Sequence, residues 1–333
     1  MMEVRNLFFR KRIFTSTSFP LPIISIGNLA VGGTGKTPHI EFLIRLLKDE
    51  YKTAVLSRGY KRKTKGFVKA DEYTTANEIG DEPFQIHSKF SEISVFVDEK
   101  RVHGVNKILQ IKPDTEVILL DDAYQHQYIK PGLSILLTDF SKPFTQDFVL
   151  PYGSLRERRK NADRADIIMV TKCPLDTKSE DIQRITKEIN PKSYQHIFFS
   201  GLEYGEIYPV FDGEKIDNKK LKNLDILLVS AIVNPFPMIN YIEKLAKSIE
   251  TITFADHHYF SEKELKEIEE KTGNKIILTT EKDAARLKSM NYMNEELKKK
   301  IYALPLHIKI LNNQENIFNQ KIYDYVGKNS RNR

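Results

Sequence analysis

The chain contains a single cysteine, Cys173, so no disulfide can form within it, and a lone thiol suits a reducing cytosol. No run reaches the roughly 18 consecutive apolar residues that a bilayer-spanning helix needs, which excludes a membrane-embedded helical protein. The N-terminal residues carry Arg5, Arg10, Lys11 and Arg12 but no apolar core and no small-residue cleavage site, so they do not read as a secretion signal. There is no internal repeat and no low-complexity segment. Recognised nucleic-acid reader motifs and interleaved aromatic and basic residues are also missing, which argues against a nucleic-acid partner.

What is present describes a water-soluble globular chain. Of 333 residues, 40% are hydrophobic, enough for an ample core, and mean hydropathy is −0.43. Domains usually hold ~100–200 residues, so one large or two smaller domains are expected. The net charge of +7 and pI of about 9.1 favour anionic partners, such as phosphorylated ligands or an anionic membrane surface. The cations cluster at Arg10–Arg12, at Arg58–Lys65 and in "RERRK" at Arg156–Lys160. Residues 1–19 form a basic amphipathic segment in which Leu7, Phe8, Phe9, Ile13 and Phe14 alternate with cations. Such a segment can lie at a membrane interface, apolar side chains down, or pack on the protein with a basic rim.

Strand-like and helix-like segments alternate from "PIISIG" onward. "TAVLS" (53–57), "ISVFV" (93–97), "EVILLDD" (116–122), "LSILLT" (133–138) and "DIIMVT" (166–171) are short apolar runs with helical stretches between them. That pattern predicts a parallel sheet covered by helices on both faces. Around residues 198–222 two extended pieces flank Asp212-Gly213, a hairpin signal. A second α/β unit follows, with a Ser261/Glu264 capping box opening one of its helices and Gly273 closing it. The expected division is a core at 20–200, a hairpin linker at 201–222, a smaller C-terminal α/β domain at 223–326 and a tail at 327–333.

The chemistry starts at "IISIGNLAVGGTGKTPHI". A strand runs into a glycine-rich turn, then Gly35, Lys36 and Thr37, then a helix opened by Pro38 with Ile40, Leu43, Ile44 and Leu47 on one face. This is the order of a phosphate-binding loop, with the nucleotide site at Ala30, Val31, Gly32, Gly33, Thr34, Gly35, Lys36 and Thr37. Ala30 stands where the signature has its first glycine, while Gly32 and Gly33 keep the turn's freedom. Lys36 is expected at the β- and γ-phosphates and Thr37 at Mg²⁺. The fold expected is therefore P-loop NTPase-like. In "EVILLDDAYQH" the apolar run ends in Asp121 and Asp122, either of which can hold the metal's water shell. "GDEPFQIHSKF" places Asp81 and Glu82 before Pro83 in a loop, and "FADHHYF" sets Asp256 beside His257 and His258, a usual general-base arrangement or a capped surface loop. In "LPYGSLRERR", Arg156 is placed to clamp a transferring phosphate and Glu157 to reach the metal, or both belong to a salt-bridged surface helix start.

These pieces together resemble the tetraacyldisaccharide 4'-kinase family of lipid A biosynthesis. "GNLAVGGTGKTP", "LSRGYKR", "GDEP", "DEKRVHG", "LLDDAYQH", "LPYGSLRE", "FADHHYF" and "TTEKDAARL" occur in the family's order over most of the chain. The resemblance implies a kinase that uses ATP and Mg²⁺ to phosphorylate the 4'-hydroxyl of a lipid A disaccharide precursor, giving lipid IVA. It implies peripheral association with the cytoplasmic surface of the inner membrane. Asp81 matches the family's general base and His257 its partner. Lys36 takes the P-loop role, and Thr37, Asp121, Asp122 and Glu157 the metal. Asn28, Tyr60, Arg101, Gln125, His126 and Arg156 match positions near substrate. Family members often carry a longer N-terminal anchor, so attachment is expected through Phe8, Phe9, Phe14 and the nearby cations. "DDAYQH" has Ala123-Tyr124 where Gly-Phe is common. The competing reading is a P-loop GTPase or nucleotide-dependent metallochaperone, since "VTKCP" (170–174) lies where a base-recognition loop can sit.

Overall fold

The computed structural model describes residues 2–11, 13–256, 258–288, 290 and 292–330. In chain order the first part comprises α1 (Met2–Arg10), β1 (Ile23–Asn28), α2 (Lys36–Leu47), β2 (Thr53–Ser57), β3 (Val68–Lys69), α3 (Ala76–Ile79), α4 (Asp81–Lys89), β4 (Ser94–Val97), α5 (Arg101–Ile111), β5 (Val117–Leu120), β6 (Leu133–Asp139), β7 (Ile167–Cys173), α6 (Ser179–Ile189) and β8 (His196–Tyr204). Then come β9 (Tyr208–Pro209), β10 (Asp225–Ser230), α7 (Phe236–Glu243), β11 (Ser248–Thr253), α8 (Glu262–Thr272), β12 (Ile276–Thr280), α9 (Glu281–Lys288), α10 (Glu295–Lys298) and β13 (Ile301–Leu304). The last elements are β14 (Leu306–Ile310) and α11 (Glu315–Ser330).

Two compact units result: Met1–Glu203 together with His307–Arg333, and Tyr204–Leu306. The first holds a nine-stranded sheet in the order β14-β8-β7-β6-β1-β5-β2-β4-β3. The pairs from β4 through β8 are parallel, and β3 adds an antiparallel edge. Every residue of β1, β2 and β5 is buried, so both faces are covered, which is why these strands read as unbroken apolar runs. The predicted apolar stripe of α2 is what packs on the sheet, with Ile40, Leu43, Ile44 and Leu47 all at 1% exposure or less. In the second unit the sheet order is β11-β10-β12-β13-β9, parallel except for β9 against β13.

The structure departs from the sequence reading in four places. Residues 81–89 form α4 rather than a loop; Pro83 lies in the first turn, where its missing N–H costs no helical hydrogen bond. The two extended pieces around Asp212-Gly213 do not pair with each other: β9 pairs with β13, a strand nearly a hundred residues later in the chain. The chain from His307 onward belongs to the first unit, not to a C-terminal domain reaching residue 326. Phe318, Ile322 and Val326 are spaced i, i+4, i+8 and buried. The Tyr325 hydroxyl accepts from the Ile23 N–H at 3.0 Å and donates to the Ile23 carbonyl at 3.1 Å, and the Tyr323 hydroxyl donates to the Leu46 carbonyl at 2.7 Å. Finally, Phe8, Phe9 and Phe14 are half-buried and pack on one another rather than standing free. They meet edge to face with centroids 5.3–5.4 Å apart, and Phe9 sits 4.8 Å from the Tyr128 ring. Among the described side chains of residues 1–19, the large apolar ones that are exposed are Leu7 and Ile13.

Candidate active site

The turn between β1 and α2 is shaped by two glycines in the left-handed region, Gly32 at φ +113 and Gly35 at φ +84, Gly35 being the N-cap of α2. No acidic residue occupies the first turn of α2, so the helix itself carries no charge that offsets the positive end of its dipole. That is an anion site built from backbone. Thr37 lies in the same turn. Asn28, fully buried, holds the loop from inside: its Nδ2 donates to Thr34 Oγ1 at 2.8 Å, and its carbonyl accepts from Gln125 Nε2 at 2.8 Å. The Arg156 guanidinium donates to the Asn28 side-chain oxygen.

The aspartates after β5 stand next to this loop because β5 and β1 are neighbours. Their turn presses close against β1: a Cβ on Gly27 would lie 2.7 Å from Tyr124 Cβ, so only glycine fits there. Asp122, at φ +44, is 3.8 Å from Lys36 Nζ and accepts from Arg156 Nη2 at 3.0 Å. Burial raises its pKa, but Lys36 and Arg156 outweigh that and hold it below the ordinary carboxylate range. Asp121 behaves in the opposite way. Its Oδ2 accepts from Ser57 Oγ at 3.0 Å, while its buried Oδ1 has no hydrogen-bond partner. Burial, then the charges of Glu82 and Asp122, push its pKa up to about 7. Arg101 is 2% exposed and donates to the Asp98 and Asp121 carbonyls, so it fixes the frame of the site from within. Burial lowers its pKa to about 10. His126 is kept neutral, its pKa lowered to about 4 by burial and then by Arg101 and Arg58.

Asp81 is buried at the start of α4, after Gly80 at φ +92. A Cβ on Gly80 would lie 2.9 Å from the Tyr60 carbonyl, so the Tyr60 backbone abuts the turn that carries Asp81. The Tyr60 side chain is exposed. Glu157 accepts from Arg164 Nη2 at 2.7 Å and lies 3.7 Å from Arg5 Nη2. Its buried Oε1 has no hydrogen-bond partner and is the oxygen open to a metal. His257 lies outside the described residues. In the second unit, Phe254 stacks on His258 with centroids 4.8 Å apart, and His258 Nε2 is 3.0 Å from Glu264, the residue that completes the capping box of α8. Asp256 is 3.6 Å from Lys282 Nζ. Among the described residues no three His, Cys, Asp or Glu side chains form a group that could hold a metal by themselves.

One network thus joins Asn28, Thr34, Lys36, Gln125, Asp121, Asp122, Arg101 and Arg156. Asn28 and Arg101, expected at substrate, are its buried supports. Sequence reasoning missed Ser57, which bonds Asp121, and the effect of Glu82. The available signals were the position of Ser57 at a strand end inside "LSRGY" and the adjacency of Glu82 to Asp81.

A family model described as tetraacyldisaccharide-1-P 4'-kinase matches residues 1–326. The tetraacyldisaccharide 4'-kinase of Bacteroides thetaiotaomicron is 49% identical over 347 residues, covering 100% of this chain and 91% of that protein. The protein of the same name from Flavobacterium johnsoniae is 45% identical over 328 residues, covering 98% of this chain and 94% of that one. Among solved structures, LpxK from Aquifex aeolicus in complex with ATP superposes with a TM-score of 0.75 at 29% identity, covering 98% of this chain and 95% of that one.

Proposed function

Since the chain belongs to the tetraacyldisaccharide-1-P 4'-kinase family, we propose that it transfers the γ-phosphoryl group of ATP to the 4'-hydroxyl of a tetraacyldisaccharide 1-phosphate, making lipid IVA for lipid A. The observation that carries this reading is the meeting of Lys36, Asp122 and Arg156 beside an uncompensated helix N-terminus. Phosphoryl transfer needs little covalent help from a protein; it needs positioning and neutralised charge. The backbone of residues 30–35 cradles the polyphosphate, and Lys36 reaches the β- and γ-oxygens. Arg156, already on Asp122, is next in line to meet charge developing on the γ-phosphoryl group.

Mg²⁺ fits the residues present. The Asp121 Oδ1 atom is buried without a partner, and its carboxyl is made hard to ionise by burial and then by neighbouring negative charge, a deficit that a cation corrects. Thr37, Asp121 and Asp122 would hold it, with the unpartnered Glu157 Oε1 able to join. Once bound, it would neutralise phosphate charge between the β- and γ-groups. In the transfer the 4'-oxygen forms a bond to phosphorus, the bond to the ADP oxygen breaks, and Asp81 takes the hydroxyl proton. Tyr60, Gln125 and His126 are assigned to the acceptor, with His126 neutral and able to hydrogen-bond a hydroxyl.

The acceptor is a lipid, and the place of work is the cytoplasmic surface of the inner membrane. Basic α1 with exposed Leu7, and exposed Ile13 just after it, supports peripheral attachment, and among the described residues no helix is long and apolar enough to cross a membrane. The test is transfer from ATP with Mg²⁺ to the tetraacyldisaccharide 1-phosphate in detergent. Lys36→Ala should lower turnover by at least ~100-fold, as loss of a preorganised charge does, and Lys160→Ala by little. Folded protein that makes no product refutes the proposal.

A further inference from the structure

Beside the apolar stripe of α2 lies a carboxylate that the phosphate loop does not use. Glu41 is 1% exposed. A charge buried there is costly unless it is paired and hydrogen-bonded, and its partners come from two helices. Arg45, one turn further along α2, donates from Nη2 to Glu41 Oε2 at 3.0 Å. Two other donors stand on α4: Gln85 Nε2 reaches Oε1 at 2.7 Å, and Lys89 Nζ reaches Oε2 at 2.6 Å. The seam continues beyond Glu41. The Arg45 guanidinium lies over the Phe90 ring, 5.5 Å from its centroid, and Lys48 Nζ donates to Glu92 at 2.9 Å.

These contacts fix a direction and a level. α2 leads into β2 and α4 into β4, and the two strands pair in parallel, so the two helices run the same way. Glu41–Gln85 and Lys48–Glu92 are each 44 residues apart in the chain, and Arg45–Phe90 is one more. The same offset, followed back to the helix starts, sets Lys36 level with Gly80 and Asp81. Along the axes, about 7.5 Å of α2 separates Glu41 from Lys36, and about 6 Å of α4 separates Gln85 from Asp81. One buried carboxylate thus bonds the helix that begins with the phosphate-loop lysine to the helix that begins with Asp81.

We propose that Glu41 is a positioning residue. By holding Gln85 and Lys89 it fixes where the Asp81 end of α4 stands against the Lys36 end of α2, and so sets the base against the γ-phosphoryl group. This role rests on the kinase reading, because that reading makes Asp81 the base. Apolar side chains would join the two helices as firmly, but would let them slide; a hydrogen-bonded carboxylate admits one register.

Steady-state transfer from Mg·ATP to the tetraacyldisaccharide 1-phosphate in detergent tests it, with thermal unfolding and ATP titration alongside. Gln85→Met combined with Lys89→Met releases α4 and leaves Glu41 paired with Arg45, so the charge is not stranded. kcat should fall by at least about tenfold, since a misplacement of about 1 Å can cost on the order of 100-fold. Acceptor KM and ATP affinity should stay close to wild type. Lys89→Arg, which keeps the ion pair, should hold kcat near wild type. In an Asp81→Asn chain the double substitution should lower kcat little further, because it acts through Asp81. The proposal is overturned if the double substitution leaves kcat unchanged, if KM or ATP affinity weakens in step with kcat, or if the loss repeats in full beside Asp81→Asn. A doubly substituted chain that no longer folds overturns it too, since Glu41 would then hold the fold rather than the base. In all these outcomes the wild-type chain is active and only the role of Glu41 is lost. Unchanged turnover in Asp81→Asn sinks the assignment of the base, and a wild-type chain that binds ATP but makes no product sinks the kinase reading; either takes this role with it.

Discussion

His39 makes the phosphate loop acid-sensitive in a way that can be calculated. The ring is 5% exposed, with Nδ1 2.7 Å from the Gly35 carbonyl and Nε2 3.0 Å from Ser200 Oγ. A carbonyl only accepts, so Nδ1 carries the hydrogen, and in the neutral ring Nε2 accepts from the Ser200 hydroxyl. Burial lowers the pKa from 6.5 to about 4, against the opposing pull of the Gly35 carbonyl. The sign follows from linkage. Below pH 6.5 the unfolded chain takes up a proton that the folded chain refuses until about pH 4, so stability is complete above 6.5 and falls as pH drops through that window. The loss is ~1.4 kcal/mol per pH unit, or about 2 kcal/mol at pH 5. The perturbation is His39→Gln, which keeps an amide donor but cannot titrate. Urea unfolding, followed by far-UV circular dichroism since the chain has no tryptophan, is run at pH 7 and pH 5 on both proteins. The wild-type chain should lose about 2 kcal/mol more than the variant between the two pH values. His126, depressed in the same direction, is present in both and cancels. Equal losses would refute the reasoning.

Two further outcomes concern stability. Asp283 and Arg286 are both fully buried and meet at 2.7 Å, Asp283 also accepting from the Ala231 N–H and the Thr280 hydroxyl. Arg286→Met strands the carboxylate and should cost about 3–5 kcal/mol in urea unfolding; a change below the measurement error would show that the pair is dispensable. Tyr325→Phe removes the hydroxyl that serves both backbone groups of Ile23 and should cost about 1–3 kcal/mol, with amide exchange at Ile23 accelerated. An unchanged exchange rate would mean that α11 does not secure β1.

Local patterns were legible where chemistry is local. The i, i+3, i+4 spacing from Ile40 to Leu47 placed α2, the apolar runs placed β1, β2 and β5, and the Ser261/Glu264 pair placed the start of α8. The donor end of the site was legible for the same reason, since loop, lysine and helix are contiguous. What depended on distant partners was not. Nothing near Tyr325 announces that it bonds Ile23, and nothing in residues 208–209 names β13 as their partner. The start of α4 was hidden by Gly80 and Pro83, two residues that usually signal a turn. The resemblance put Arg101 and Asn28 near substrate; their burial and hydrogen bonds show that they also brace the aspartate turn and the phosphate loop.

The path of the chain through the nine-stranded sheet has a consequence for biosynthesis. Tyr204–Leu306 is one continuous stretch, whereas the first unit is completed only by residues from His307 onward. As the polypeptide leaves the ribosome, β8 emerges with Phe198 and Phe199 on a sheet edge whose neighbour, β14, has not been translated. At ~5–20 residues per second, the intervening unit delays that neighbour by on the order of 10 s. For that interval a bare strand edge faces the crowded cytosol, open to pairing with other nascent chains. The kinase unit can therefore be completed only once the residues from His307 onward have been made, and its yield in a cell depends on what shields that edge while the contiguous unit folds.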